Sequence, residues 1–337
     1  MDTPGVTIKD VARLANVSVA TVSRALNGRE NVADAVRDRV LAIANSLDYS
    51  PHHAARVLSS RRTHTVGVVL PDLPCEYYAR LMCGIDTAAR ERGLQLLVSG
   101  HHRCPELQGM ALRGMRGRVD GIVVMSPHAG LDLQAANLPP SLPVLLLDSQ
   151  GESGGGVRSL RVDNHGGSRA MVHHLAERGR RRIAFIAGRT PNFDAAERLR
   201  GYCDGLAESL PGAEPWILAG DFDVASGHRA GCELLAAPEL PDAVFAANDM
   251  MALGCLFAFN AARVRVPEDI ALAGFDDSPL AQHMHPALTT LRIDIGGFGA
   301  HALRLLLDEA VGEDAPGAHS LQPELMVRES TAAAAGG

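Results

Sequence analysis

The chain has 337 residues, 46% hydrophobic and 21% charged, which indicates a soluble globular protein with room for more than one domain. No apolar run reaches the roughly 18 residues of a membrane span, and Met1-Asp2-Thr3-Pro4 is too polar for a signal peptide, so a cytoplasmic protein is expected. The net charge of −7 argues against nucleic acid on average, yet residues 1–62 carry nine basic against six acidic side chains (net +3) and the rest 23 against 33 (net −10), which suggests DNA binding confined to one end.

The basic end opens with VTIKDVARLANVSVATVSRALN, residues 6–27. Ile8, Val11, Ala12 and Leu14 recur at helical spacing after a Thr7 cap. Asn16-Val17-Ser18 interrupts the pattern, and Ser18 can cap a second helix whose apolar stripe is Val22, Ala25 and Leu26. Val19, Ala20, Thr21, Ser23 and Arg24 are left facing outward. Small side chains at a helix start followed by Arg suit the DNA major groove, where Arg pairs bidentately with guanine. A third helix is expected over about Asp34–Leu47, faced by Val36, Val40, Ile43, Ala44 and Leu47.

The run TIKDVARLANVSVATVSRALNG resembles the headpiece of the lactose-repressor/galactose-repressor family of bacterial transcription regulators. The resemblance implies a DNA-contact set of Thr7, Ser18, Val19, Ala20, Thr21, Ser23, Arg24 and Asn27. Where relatives start the third helix with Ser or Thr, this chain has Ala33 and Val36, which weakens that cap. After Tyr49-Ser50-Pro51, the segment HHAARVLSSRR resembles the family's hinge helix. There Leu58 stands at the position of the minor-groove wedge, and Ala55 beside it allows close approach. Read without the resemblance, the same segment is a flexible basic linker. The expected division is a helix-turn-helix headpiece (1–50), a hinge (51–63) and an effector-binding core (64–337).

From Thr65 onward the pattern alternates between strands and helices. Strand-like runs are Val66–Leu70, Leu94–Ser99, Gly121–Met125, Val144–Asp148, Ile183–Ala187, Ala243–Ala246 and Ala271–Phe275. Helical ones include Ala79–Arg92, Gly166–Gly179, Arg198–Leu210, Ser226–Ala236 and Met250–Asn260. Such alternation predicts parallel sheets covered by helices. About 270 residues of it exceeds one doubly wound domain and fits two lobes. The fold class is therefore α/β, with a small all-α headpiece. Landmarks such as RRIAFIAG, AVFAANDMMALG and GFDDSPLAQHMHPALTTLRID look like the same family, which implies a periplasmic-binding-protein-like core. Its N-lobe would be about 64–162 and 294–322, and its C-lobe about 163–292 and 323–330.

Ligands of open parallel sheets bind beyond the carboxyl ends of strands, here between lobes. Asp72, Tyr77, Tyr78, Asn192 and Asp194 follow such ends. By resemblance, Asp148, Arg198, Asn248 and Asp276 match positions that hold hydroxyls of sugar-like effectors, and Phe222 matches an aromatic that stacks on the ligand. The chemistry agrees: carboxylates and amides bind hydroxyl pairs, and an aromatic covers an apolar ring face. The plain alternatives are a strand-terminating Asp148 and an Arg198 paired with a neighbouring Asp. Tyr77-Tyr78 resembles the purine-responsive branch, whose Arg and Thr positions hold Asn192 and Asp194 here, and Ile293 and Ile295 replace positions often polar or aromatic. A sugar or sugar derivative is expected first, a purine or nucleoside second.

No cofactor, metal site or enzyme activity is expected. Residues 151–155 fit G-x-S-x-G but lead into a loop and a strand instead of a helix. Residues 297–302 fit G-x-G-x-x-A without an acid at the ribose spacing. The adjacent His pairs diverge by about 100° on a helix and rarely share one metal. The six cysteines form no C-x-x-C pair and read as reduced thiols. The tail STAAAAGG carries no leucine heptad, so a homodimer on a pseudo-palindromic operator is expected.

Overall fold

A computed structural model describes residues 6–26, 31–49, 62–71, 76–101, 104–126, 142–149, 158–307 and 318–332. The chain divides into two compact units, 1–63 and 64–337. In the first unit, α1 (Ile8–Ala15), α2 (Val19–Leu26) and α3 (Asp34–Ser46) close on a small core. Val11, Ala15, Val22, Ala25, Val40 and Ala44 fill it. Thr7 starts α1: Asp10 reaches back to the Thr7 N–H (3.0 Å) and accepts from its hydroxyl (2.7 Å). Asn16 ends α1 in the left-handed conformation (φ 53°), which Asn tolerates and which turns the chain towards α2. Leu14 differs from expectation. It lies off the Val11–Ala15 stripe and is 55% exposed. Ala33 leaves α3 without a side-chain cap.

The second unit contains two parallel sheets. One holds β1 (Thr65–Leu70), β2 (Gln95–Gly100), β3 (Gly121–Met125), β4 (Val144–Leu147), β5 (Arg158–Val162) and β11 (Ala318–Leu321), in the order β11-β5-β4-β3-β1-β2. The other holds β6 (Ile183–Ile186), β7 (Trp216–Leu218), β8 (Ala243–Ala246) and β9 (Ala271–Ala273), in the order β7-β6-β8-β9. Strands β1, β3, β6, β8 and β9 are buried along their whole length. This is why they read as unbroken apolar runs without alternation.

Helices α4 (Glu76–Glu91), α5 (Pro105–Met115) and α10 (Ile295–Leu307) belong to the first lobe. Helices α6 (Asn164–Glu177), α7 (Phe193–Ser209), α8 (Val224–Leu235) and α9 (Asp249–Ala261) belong to the second. The pairs α4/α10, α6/α7 and α8/α9 pack directly. The glycines of residues 297–302 serve packing: a Cβ on Gly299 would lie 2.3 Å from the Leu81 carbonyl oxygen.

The chain passes between lobes at Asp163, whose N–H donates to the Leu321 carbonyl (2.8 Å) and whose carboxylate caps α6 through the Gly166 N–H (2.8 Å). It returns between β10 (Thr290–Arg292) and α10, and passes over again between β11 and β12 (Glu324–Met326). Strands β10 and β12 pair antiparallel with Leu291 opposite Leu325. These connections place the carboxyl ends of β3, β6, β8 and β9 around one interlobe cleft.

Candidate functional site

The headpiece presents one short-chained face. Ser18 accepts from the Thr21 N–H (3.1 Å), and the two hydroxyls lie 2.9 Å apart, so both side chains fasten the start of α2. Val19, Ala20 and Arg24 are exposed, while Thr21 and Ser23 are half-buried. Arg24 folds back to donate from Nε to the Ala20 carbonyl (3.2 Å), which holds its guanidinium over the face. Asn27, Ala55 and Leu58 lie outside the described residues, as do Asp72 and the G-x-S-x-G run.

The interlobe cleft encloses a cavity of about 500 Å³. It brings together eight of the ten residues singled out for effector contact, Tyr77 and Tyr78 from α4 and the others from the second lobe. Arg198 is the anchor. Its Nε donates to Asn164 (2.8 Å), one terminal nitrogen to the Ala247 carbonyl (2.5 Å), and the other pairs with Asp276 (3.2 Å). The guanidinium also lies over the Phe275 ring, 3.7 Å from its centroid. Two of its five N–H groups donate hydrogen bonds, and the second terminal nitrogen is held by the ion pair with Asp276. Asn192 caps α7 through the Ala195 N–H (2.9 Å). Asn248 caps α9 through Met251 (3.0 Å) and donates to the Phe222 carbonyl (3.0 Å). Both amides therefore position the wall before they touch any ligand. Phe222 adopts φ 62°, and its ring covers Gly188, where a Cβ would lie 2.2 Å away.

Asp148 stands elsewhere than the wall. It is 1% exposed, behind Tyr77, whose hydroxyl donates to it (3.3 Å), and it accepts from the Val162 N–H (3.1 Å). Burial pushes its pKa up to about 6, although Val162, Arg198 and Tyr77 pull the other way. Burial and then the Asp148 charge raise the Tyr77 phenol well above its usual value, so it remains a donor. Asp194 and Asp276 are likewise raised, chiefly by burial.

Two residues that organise the wall, Asp249 and Asn164, are not among the expected effector contacts. Asp249, next to Asn248, accepts from Thr290 (2.6 Å) and the Ser278 N–H (2.6 Å), and so holds the loop that carries Asp276. Burial, then Asp276, raises its carboxyl to about 8. Asn164 bridges Arg198 and Asp194. Its sequence signal was its place just after the first interlobe crossing. The paired histidines point to different partners: His173 to Glu208 (2.9 Å) and His174 to Thr331 (2.8 Å). Among the described residues no group of three or more His, Cys, Asp or Glu could hold a metal.

Comparison with known proteins gives matches along nearly the whole chain. Residues 7–52 match the family described as bacterial regulatory proteins, lacI family, and residues 172–331 match the periplasmic binding protein-like domain. The HTH-type transcriptional regulator CelR of Thermobifida fusca is 38% identical, over 96% of this chain and 98% of its own. The lac repressor dimer bound to operator and the anti-inducer ONPF superposes with a TM-score of 0.89 at 29% identity, over 97% of this chain and 99% of that one. The complex of the transcriptional regulator CelR with cellobiose gives a TM-score of 0.69 at 36% identity, over 96% and 99%.

Proposed function

The chain belongs to the lacI family of bacterial regulatory proteins and is a DNA-binding transcription regulator, and on that premise we propose a homodimeric cytoplasmic repressor whose operator affinity is set by a carbohydrate bound in the interlobe cavity. The observation that carries the effector assignment is the composition of the wall. Carboxylates and Arg198 surround a cavity of about 500 Å³, large enough for a mono- or disaccharide, with Phe222 to cover an apolar ring face. Sugar hydroxyls would donate to the carboxylates and accept from the Arg198 guanidinium. The CelR–cellobiose complex supports the same class. A purine or nucleoside is the second reading, favoured by Tyr77 and Tyr78, whose rings meet edge to face at 5.5 Å.

On the DNA side, α2 would enter the major groove with Val19, Ala20, Thr21, Ser23 and Arg24 against base edges. Thr7 and Asn27 would flank that contact, and Leu58 with Ala55 would open the minor groove at the centre of a two-fold site. A thermal-shift screen of mono- and disaccharides and of nucleosides tests the effector. We expect a carbohydrate to raise the melting temperature of the wild-type chain and to leave Arg198→Ala unmoved. A hit that stabilises both equally would move the ligand out of this cavity, and a hit confined to nucleosides would retire the carbohydrate reading. A mobility-shift assay with upstream DNA should show binding that falls steeply with salt.

A further inference from the structure

The loop after β9 joins the cavity to the crossings between lobes. Asp276 faces the cavity, where it pairs with Arg198 (3.2 Å), and its N–H donates to the Leu291 carbonyl of β10 (2.8 Å). Asp277, the next residue, reaches into the crossings. Its Oδ2 accepts from Arg292 Nε on β10 (2.7 Å), and its Oδ1 from Arg328, two residues beyond β12 (2.7 Å). One carboxylate thus holds both strands that accompany the second and third passages between lobes. The two guanidiniums are fixed in turn: Arg328 also donates to the Leu288 carbonyl (2.8 Å), and Arg292 stands 3.8 Å from Glu324 across the β10–β12 pair. The Asp277 and Arg328 side chains are 10% and 15% exposed, so salt and water screen this pair little. From the first lobe, Arg80 of α4 donates to the Asp277 carbonyl (3.4 Å). Asp276 and Asp277 have φ of 101° and 46°, two successive non-glycine residues in the left-handed region. Backbone of that kind persists where its surroundings over-determine it, and it clusters at clamps and switches.

We propose, on the reading that the effector occupies this cavity, that Asp277 is the positioning residue that couples the cavity to both crossing strands. When an occupant displaces Asp276 or Arg198, the Asp277 carboxylate carries the displacement to β10 through Arg292 and to β12 through Arg328, so that both crossings turn together. A side chain that only strapped β12 down would steady it by the same factor whatever the state of Arg198. A coupling residue makes β12 depend on Arg198, and that dependence is measurable as non-additivity.

Hydrogen exchange of the full-length chain tests this without any ligand. Among the described residues, Arg198 makes no hydrogen bond or ion pair with β12. Arg198→Ala, which removes the partner of Asp276, should nevertheless speed exchange of the β12 amides about threefold. In Asp277→Asn the left-handed backbone is kept, because Asn tolerates it, but the amide can accept from only one guanidinium. In that background Arg198→Ala should add less than about 1.5-fold at the same amides. Equal increments in the two backgrounds overturn the coupling, as does an Arg198→Ala chain whose β12 exchanges like the wild type. Unchanged exchange in β1 reports that each variant is folded. Should Asp277→Asn fail to fold, Arg328→Met removes the β12 arm alone and should abolish the increment in the same way; an increment as large as in the wild type overturns the proposal. Cellobiose is the probe for a second arm. Asp277→Asn should bind it within about twofold of the wild type yet lose most of the change it causes in operator affinity. A variant that loses about tenfold or more in cellobiose affinity would make Asp277 part of the wall and overturn the coupling role. A wild-type chain that does not bind cellobiose counts against the carbohydrate reading, and hydrogen exchange then decides the coupling by itself.

Discussion

Arg24 and Asp148 show how far one side chain can act through its surroundings. Arg24 is exposed and, among the described residues, tethered only by its own helix, so Arg24→Ala should leave the fold intact. The loss of one bidentate base contact should reduce discrimination between operator and scrambled DNA by about 1–3 kcal/mol. Equal discrimination by variant and wild type in competition mobility shifts would rule the contact out. Asp148 is the opposite case, a carboxyl 1% exposed with its pKa raised from 3.8 to about 6. Between those values the folded state holds the proton more tightly than the unfolded chain does, so stability falls as pH rises through that window and is level above it. Asp148→Asn removes the penalty while its amide oxygen can still accept from Val162. Its stability relative to wild type should therefore rise from pH 4 to pH 7, by on the order of 2–3 kcal/mol. Denaturant midpoints at pH 4, 5, 6 and 7 measure this, and a difference that does not change with pH would show that Asp148 is not strained by its burial.

At the level of elements, what the sequence makes legible depends on length and on which groups meet. Runs such as Gly121–Met125 and Ala243–Ala246 are strands of four or five wholly buried residues, and their apolar continuity marks them. Strands β7, β10 and β12 have three residues each, too few for any periodicity to register, and they exist because neighbouring backbone offers them a partner. The same limit governs the cavity. Strand ends locate Asn192, Asp194, Arg198, Asn248 and Asp276. Which of them points at ligand, and which is tied into a helix cap, depends on contacts distant in sequence, as with Asn248 and Phe222 or Asp148 and Tyr77. Packing between α4 and α10 was hidden for a related reason, because its signal is an absence of side chain. A Cβ on Gly84 would lie 1.9 Å from the Gly296 carbonyl oxygen, a backbone atom that cannot step aside alone. Gly84→Ala should therefore force the helices apart and destabilise the core by about 1–3 kcal/mol. Gly114→Ala, with nothing within 4 Å of its Cβ, serves as the control and should be neutral or slightly stabilising. Equal denaturant midpoints for the two variants would contradict the packing argument.

For the whole molecule, regulation requires that cavity and headpiece share one equilibrium. A ligand shifts that equilibrium only by its difference in affinity between the DNA-binding state and the released state. If the effector weakens operator binding tenfold, operator must weaken effector binding tenfold, about 1.4 kcal/mol of coupling read from either side. The anchor of the cavity, Arg198, is 5% exposed and its contacts lie wholly within the core unit. Arg198→Ala should therefore keep operator affinity within about twofold of wild type while losing the response to effector, which makes it a repressor that cannot be induced. Fluorescence anisotropy with labelled operator, titrated with effector, measures one side of the linkage. Calorimetric titration of effector into protein with and without saturating operator measures the other. Equal effector affinity in the presence and absence of operator would show that the cavity is uncoupled from the headpiece. Tighter effector binding in the presence of operator would make the ligand a corepressor and reverse the sign of the switch.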